Sequence, residues 1–293
     1  MFEGSFVALV TPFKNGAVDY ERLEQLVEFH VKNGTTGLVP CGTTGESPTL
    51  TYQEHKDVVS FVIRRAAGRM PVIAGTGANS TAEAVELSLA AAKAGATATL
   101  QVCPYYNKPE PDGMFLHFKA VADATRLRMV LYNIPSRTGR EIALETILRL
   151  ADKVKEVVAV KEAGGSVDRV SEICRRTTLD VLSGDDSLTL PMMAVGGRGV
   201  ISVAANFMPR QVSQMVSDAL KGNYAAAREA HLSMFPVFKA VFLETNPIPV
   251  KTAMGLLGLC EPEMRLPLSA MRPETKALLQ KALQEYGLLK TGR

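Results

Sequence analysis

The sequence predicts an α/β fold of the (β/α)8 (TIM) barrel type with a C-terminal helical appendage. Three observations point there. Short apolar runs alternate with amphipathic stretches, helix-start signals follow directly after those runs, and the alternation repeats about eight times, the barrel number. Strands are expected over residues 6–10, 38–41, 72–75, 99–103, 129–133, 157–161, 181–184 and 200–204. Each run is short and mostly β-branched or aliphatic, as in parallel strands buried on both faces. An open doubly wound sheet has the same local pattern, and the count of about eight evenly spaced units decides for a closed ring.

The helices announce themselves by spacing and by caps. Leu23, Leu26, Val27, His30 and Val31 recur at helical intervals behind a capping position at Asp19, and Thr51 with Glu54 and Ser80 with Glu83 each have the capping-box pattern. From about Pro209 the chain reads as helix: to Gly222-Asn223, then over 224–243, 249–258 and 273–286. Residues 1–222 are assigned to the barrel and 223–293 to a helical region packed on it. No Ser/Gly-rich linker separates the two, so the second is not expected to fold alone.

Composition narrows the functional classes. At 293 residues, 46% hydrophobic and 22% charged, the chain suits one large globular domain. Lys and Arg exceed Asp and Glu by only 33 to 30, with no basic run interleaved with aromatics, so no nucleic-acid partner is expected. The opening Met1-Phe2-Glu3-Gly4-Ser5 has neither a basic nor an apolar leader region, and no stretch reaches the ~18 apolar residues of a membrane span. No membrane association and a cytoplasmic location are the expectations. Cys41, Cys103, Cys174 and Cys260 are scattered, without a C-x-x-C pair, and His30, His55, His117 and His231 all fall in helical segments. Neither a disulfide scaffold nor a metal site is suggested, and no cofactor is expected.

Active sites of such barrels form at the C-terminal ends of the strands, so polar residues there are the informative ones. Period-2 alternation puts Lys161 on the same face as Ala159 and Val157, pointing into the barrel. Burial disfavours a charged amine, and a free amine attacks a ketone to form a Schiff base. The plainer alternative is a lysine that reaches out of the strand end to a carboxylate such as Asp185. Tyr132 ends the neighbouring strand, where its phenol could pass protons to that amine or simply pack in the upper barrel layer. Thr43 and Thr44, in a Gly-flanked turn before a helix, could offer hydroxyl and N–H groups to a carboxylate or be ordinary turn residues. Arg137, in a tight Pro-Ser-Arg-Thr-Gly turn, suits bidentate carboxylate recognition or a surface salt bridge. Gly75-Thr76-Gly77 lacks the rest of a dinucleotide fingerprint and reads as a turn.

Taken together, Gly42-Thr43-Thr44-Gly45-Glu46, Tyr132-Asn133-Ile134-Pro135 with Arg137-Thr138-Gly139, and Val160-Lys161-Glu162-Ala163 closely resemble the dihydrodipicolinate synthase family. The resemblance runs over essentially the whole chain, including Ser183-Gly184-Asp185-Asp186 and Gly199-Val200-Ile201-Ser202-Val203. It implies an enzyme of lysine (diaminopimelate) biosynthesis that condenses pyruvate with L-aspartate 4-semialdehyde through an imine on Lys161. It further implies a proton relay of Thr43, Tyr132 and Tyr106, with Tyr106 supplied by a neighbouring subunit. Thr44, Gly184 and Ile201 fall to the pyruvate pocket and Arg137 to the semialdehyde carboxylate, in a homotetramer built from two dimers. An L-lysine effector site is implied at Ser47, His55, Asn79, Glu83 and Tyr105. Pro48 and Tyr52 depart from the pattern of lysine-sensitive members, and Glu83 already has a role in the capping pattern.

Three other readings compete. A lyase of the same superfamily acting on N-acetylneuraminate or a keto-deoxy sugar acid shares the lysine and tyrosine, whereas Arg137 and the Tyr105-Tyr106 pair suit a short substrate with a carboxylate near its aldehyde. A catalytically silent keto-acid-binding barrel has the same fold but no use for a complete relay. A metal-dependent hydrolase needs His, Asp or Glu clusters that the strand ends lack.

Overall fold

The computed structural model describes residues 2–290. Met1 and the last three residues of the expected C-terminal region, 291–293, lie outside the described residues. Eight parallel strands are present: β1 (Gly4–Ala8), β2 (Gly37–Val39), β3 (Ile73–Gly75), β4 (Ala98–Val102), β5 (Arg128–Asn133), β6 (Val157–Glu162), β7 (Asp180–Ser183) and β8 (Gly199–Ser202). Hydrogen-bonded neighbours run β2-β1-β8-β7-β6-β5-β4-β3, and a parallel bridge from Leu38 to Val72 joins β2 to β3 and closes the ring. The expected barrel is therefore the observed one.

Strand ends depart from expectation by up to two residues, for visible reasons. The run expected over 200–204 leaves the sheet after Ser202, because the buried Asp186 carboxylate accepts hydrogen bonds from Ser202 Oγ and from the backbone N–H groups of Val203 and Ala204 and turns the chain. β1 likewise ends at Ala8, and the Val10 N–H turns to Asn206 Oδ1 at 3.1 Å. At the start of β8, Gly199 has φ +149°, and a Cβ there would stand 2.0 Å from Gly4 O, so only glycine lets β1 and β8 approach.

Helices follow the strands: α1 (Tyr20–Lys32), α2 (Tyr52–Ala66), α3 (Thr81–Ala94), α4 (Pro111–Thr125), α5 (Leu144–Lys153), α6 (Val167–Arg176), α7 (Thr189–Ala194) and α8 (Pro209–Leu220). Asp19 caps α1 through the Arg22 N–H, and Thr51 with Glu54 forms a complete reciprocal box at α2. Ser80 caps α3 by accepting from the Glu83 N–H, but the box is only half made. The Glu83 carboxylate is thus not occupied at the helix end, contrary to the expectation from its spacing.

Three apolar layers result. The barrel interior holds Phe6, Ala8, Val39, Ile73, Ala98, Leu100, Val130, Tyr132, Ala159, Leu182 and Ile201. The remaining strand faces pack against the helices in two larger clusters. Val157 belongs to one of those outer clusters, not to the interior, because a bulge between Met129 and Val130 of β5 and the start of β6 shifts the alternation by one residue. Ala159 and Lys161 keep their inward direction; Val157 does not. After α8 come α9 (Tyr224–Ala240), α10 (Ile248–Leu256) and α11 (Pro273–Glu285). Ala227, Met234, Val237, Val250, Met254, Leu279 and Leu283 from these helices share one buried cluster with Val212 and Met215 of α8. Among the described residues no helix is long and apolar enough to cross a membrane.

Two buried histidines tie this packing to pH. Desolvation lowers the His30 imidazole in α1 to about 3 and that of His117 in α4 to about 4. The unfolded chain takes up these protons near pH 6.5, while the folded protein refuses them until far lower, so the stability they contribute at neutral pH drains away as the pH falls from about 6.5 towards 4. Each adds a slope of up to about 1.4 kcal/mol per pH unit in that window. Urea unfolding between pH 7.5 and 4.5 is expected to show the loss; a midpoint that stays constant contradicts it.

Candidate active site

Lys161 and Tyr132 are register partners on adjacent strands β6 and β5, at their C-terminal ends. Both side chains are buried, and Lys161 Nζ lies 4.1 Å from the centroid of the Tyr132 ring. Among the described residues Lys161 has no ion-pair partner; the buried carboxylates Glu46 and Glu162 pair instead with Lys251 and Arg169. Asp185 does not receive it, because its carboxylate accepts from Ser187 N and Ser187 Oγ, both at 2.8 Å. The amine has a ring face beside it and little access to water, and no acidic side chain holds it away from a carbonyl entering at the strand ends. Gly184 is the neighbour that makes room: a Cβ there would stand 3.1 Å from Lys161 Cε and 2.7 Å from Ala163 Cβ.

One residue further along the same strands, a polar cluster locks the pair from the outside. Asn133 and Glu162 are the next register partners, and both are fully buried. Glu162 accepts from Asn133 Nδ2 at 2.9 and 3.1 Å, from the Gly164 N–H at 2.7 Å and from Arg169 Nε at 3.0 Å. Asn133 Oδ1 in turn accepts from the Ile142 N–H, and Arg169 Nη2 donates to Ile142 O. The carboxylate thereby joins β5, β6, the loop before α5, and α6.

Above this floor lies a cavity of about 260 Å³ whose walls include Cys41, Gly42, Thr43, Leu100, Tyr105, Tyr132 and Arg137. Lys161 is not itself a wall; it stands against the Tyr132 ring that is. The turn after β2 is wound tightly: Gly42 O accepts the Gly45 and Ser47 N–H groups, Thr43 O accepts that of Glu46, and Cys41 and Glu46 bracket it at φ 55° and 54°. Thr44 is buried, and its Oγ1 accepts from Asn246 Nδ2 at 2.9 Å. Arg137 is exposed at the mouth and donates from Nη2 to Asn246 O at 3.0 Å. It has no carboxylate partner among the described residues, so the guanidinium is available to an incoming anion. Ile201 lies in the barrel interior with Tyr132.

Tyr106 is the one candidate held apart. It sits at φ 68° with 90% of its surface exposed and does not wall the cavity of its own chain. A second cavity of about 280 Å³ is lined by Ser47, Tyr52, His55, Glu83, Leu87 and Tyr105, and shares Ser47, Pro48, Gly77 and Tyr105 with the first. His55 Nε2 donates to Gly75 O at 2.7 Å and Nδ1 faces Ser47 Oγ at 3.5 Å, while desolvation lowers its imidazole below the ordinary value. Desolvation and then the facing Glu83 carboxylate push the Tyr52 phenol up to about 12. Asn79 is not a wall of this cavity; its backbone O accepts from Asn107 Nδ2.

Several residues that build the site escape a reading of the sequence. Arg169 and Asn246 carry no local mark of their contacts. Lys251 does, as one charge inside the apolar run Ile248-Pro249-Val250-Lys251-Thr252-Ala253-Met254.

A closed ring of eight parallel strands with an unpaired lysine buried beside a tyrosine at its mouth defines an enzyme of the Schiff-base lyase class. The Dihydrodipicolinate synthetase family model matches residues 1–286, and the chain belongs to that family. The 4-hydroxy-tetrahydrodipicolinate synthase of Aquifex aeolicus is 54% identical over 290 residues, 98% of this chain and 99% of its own. A crystal structure of dihydrodipicolinate synthase (DHDPS) from Aquifex aeolicus superposes with a TM-score of 0.97 at 54% identity, over 99% of this chain and 100% of that one. The DHDPS of Cyanidioschyzon merolae, solved with lysine bound, has a TM-score of 0.95 at 42% identity, over 98% and 99%.

Replacing Arg169 with Leu leaves Glu162 buried without its cation, at an expected cost of about 3–5 kcal/mol. Pairing that change with Glu162→Gln is expected to recover most of the loss. Chemical denaturation of the two variants checks both, and a single variant as stable as wild type rules out the lock.

Proposed function

We propose that the protein is a 4-hydroxy-tetrahydrodipicolinate synthase of lysine (diaminopimelate) biosynthesis, condensing pyruvate with L-aspartate 4-semialdehyde. The observation that carries this reading is Lys161, buried without an ion pair 4.1 Å from the Tyr132 ring centroid. Its amine adds to the pyruvate carbonyl, and the carbinolamine loses water to give an imine. Loss of a methyl proton yields an enamine that attacks the aldehyde carbon. The substrate amine then adds to the imine carbon and displaces Lys161, which closes the ring and regenerates the free amine.

In this reading Tyr132 and Thr43 pass protons at the floor and wall of the cavity, and Thr44, Gly184 and Ile201 seat the pyruvate. Arg137, exposed and free of carboxylates among the described residues, takes the semialdehyde carboxylate. Tyr106 completes the relay of another subunit; its outward projection suits that use, and a homotetramer of two dimers is the assembly proposed. The location proposed is the cytoplasm, and the helical region from residue 223 is taken to fold together with the barrel. L-Lysine is the proposed effector for the second cavity, where His55, Ser47, Glu83 and Tyr105 offer polar groups and Tyr52 occupies part of the space.

Pyruvate with borohydride is expected to add one reduced adduct to Lys161 and to no other peptide. Lys161→Ala should abolish labelling, and Tyr132→Phe should lower kcat by about 10²-fold or more with the fold intact. An adduct elsewhere, or none, contradicts the reading. Millimolar L-lysine is expected to slow initial rates; unchanged rates remove the effector proposal and leave the catalytic one standing.

A further inference from the structure

We propose that Lys251 is a positioning residue for catalysis: its buried ion pair with Glu46 fastens α10 to the turn 42–47 and so fixes the hydroxyl and N–H groups that hold the pyruvate carboxylate. The proposal rests on the reading of Thr43 and Thr44 given above.

The contacts single out this pair. Both side chains are wholly buried, with Lys251 Nζ 2.6 Å from Glu46 Oε1. The other carboxylate oxygen accepts the Arg265 N–H at 3.2 Å. Beneath them the Phe13 ring carries two cations, Lys251 Nζ at 4.2 Å and the Arg265 guanidinium at 4.4 Å from its centroid. No atom of Lys251 walls the cavity, so its effect on a bound keto acid passes through Glu46.

Glu46 is where a fastening is needed. A non-glycine residue in the left-handed region is conformationally costly and persists only when its surroundings hold it there. Glu46 has φ 54°, and its N–H closes the turn onto Thr43 O. A second link runs from the same part of the chain, where Asn246 Nδ2 donates to Thr44 Oγ1 and Asn246 O accepts from Arg137. The chain after the barrel therefore grips the two proposed carboxylate-binding elements at four points, through Lys251, Arg265 and twice through Asn246. Buried ion pairs are poor sources of net stability, and an apolar pair of similar volume is often as stable. What Lys251 and Glu46 supply that an apolar pair cannot is a direction for the turn.

Two variants and one measurement test this. Glu46→Asp keeps both charges and shortens the reach by one methylene, and the double variant Lys251→Met/Glu46→Gln removes the charges together. In folded variants the pyruvate KM is expected to rise about tenfold or more, with the aspartate-semialdehyde KM within about threefold of wild type and Lys161 still labelled by borohydride at saturating pyruvate. A purely structural pair would lower Tm and leave the pyruvate KM in place, and that result in either folded variant overturns the proposal. Should neither variant fold, native-state hydrogen exchange on the wild-type enzyme decides. The amides of Gly45, Glu46 and Ser47 are expected to open together with those of α10, with one denaturant dependence, and separate openings overturn the proposal. If wild type itself takes no pyruvate label, the assignment of the substrate fails, while the exchange measurement still reports on the fastening.

Discussion

The site depends on the register between β5 and β6. Side chains alternate across a strand, so the pairing that sets Lys161 beside Tyr132 inside the ring also sets Glu162 beside Asn133 outside it. A slip of one residue would carry the amine to the helix side of the barrel and the carboxylate to its interior. Glu162 prevents that slip chemically, because its buried oxygens are satisfied only in the observed alignment, by Asn133, Gly164 and Arg169. The bulge at the start of β6 belongs to the same arrangement: it absorbs a mismatch at the far end and leaves the functional end in step.

Two lysines are buried among the described residues, and they show how surroundings assign different work to one side chain. Lys251 meets Glu46 at 2.6 Å and stands over the Phe13 ring at 4.2 Å. Burial lowers its amine from the ordinary value, and the Glu46 charge opposes that fall. Such a group is tied. Lys161 faces a phenol ring instead, without a carboxylate among the described residues, and its aliphatic stem is admitted by the bare backbone of Gly184. One lysine holds structure, and the other, without a carboxylate partner among the described residues, is the one proposed to react.

Much of this was legible in the sequence, for physical reasons that also mark its limits. Strand positions follow from apolar runs, and the inward direction of Lys161 follows from period-2 alternation, because the bulge falls upstream of it. The same alternation misplaces Val157, which the bulge turns outward. The Ser80-x-x-Glu83 spacing suggests a closed capping box, yet only the backbone half forms and the carboxylate faces a cavity beside Tyr52. Local spacing cannot report a competitor that arrives from another helix. Distance along the chain hides the rest: Glu46 and Lys251 are 205 residues apart, and Thr44 and Asn246 are 202 apart. Their partnership exists only once the helices after the barrel have folded back over its mouth.

The lower end of the ring is stoppered. Phe2 and Phe6 meet edge-on at 6.0 Å in the interior cluster, and the Phe2 N–H is pinned to Asp180 at the foot of β7. Among the described residues the cavity above Tyr132 opens at the other end of the ring. In the proposed reaction two reactants, a departing water and a cyclic product use that end in turn. A vessel stoppered at its foot favours a queue: the molecule that reaches the floor first stays while the next arrives, and a covalent bond to the floor, as proposed for Lys161, keeps the way in from becoming the way out.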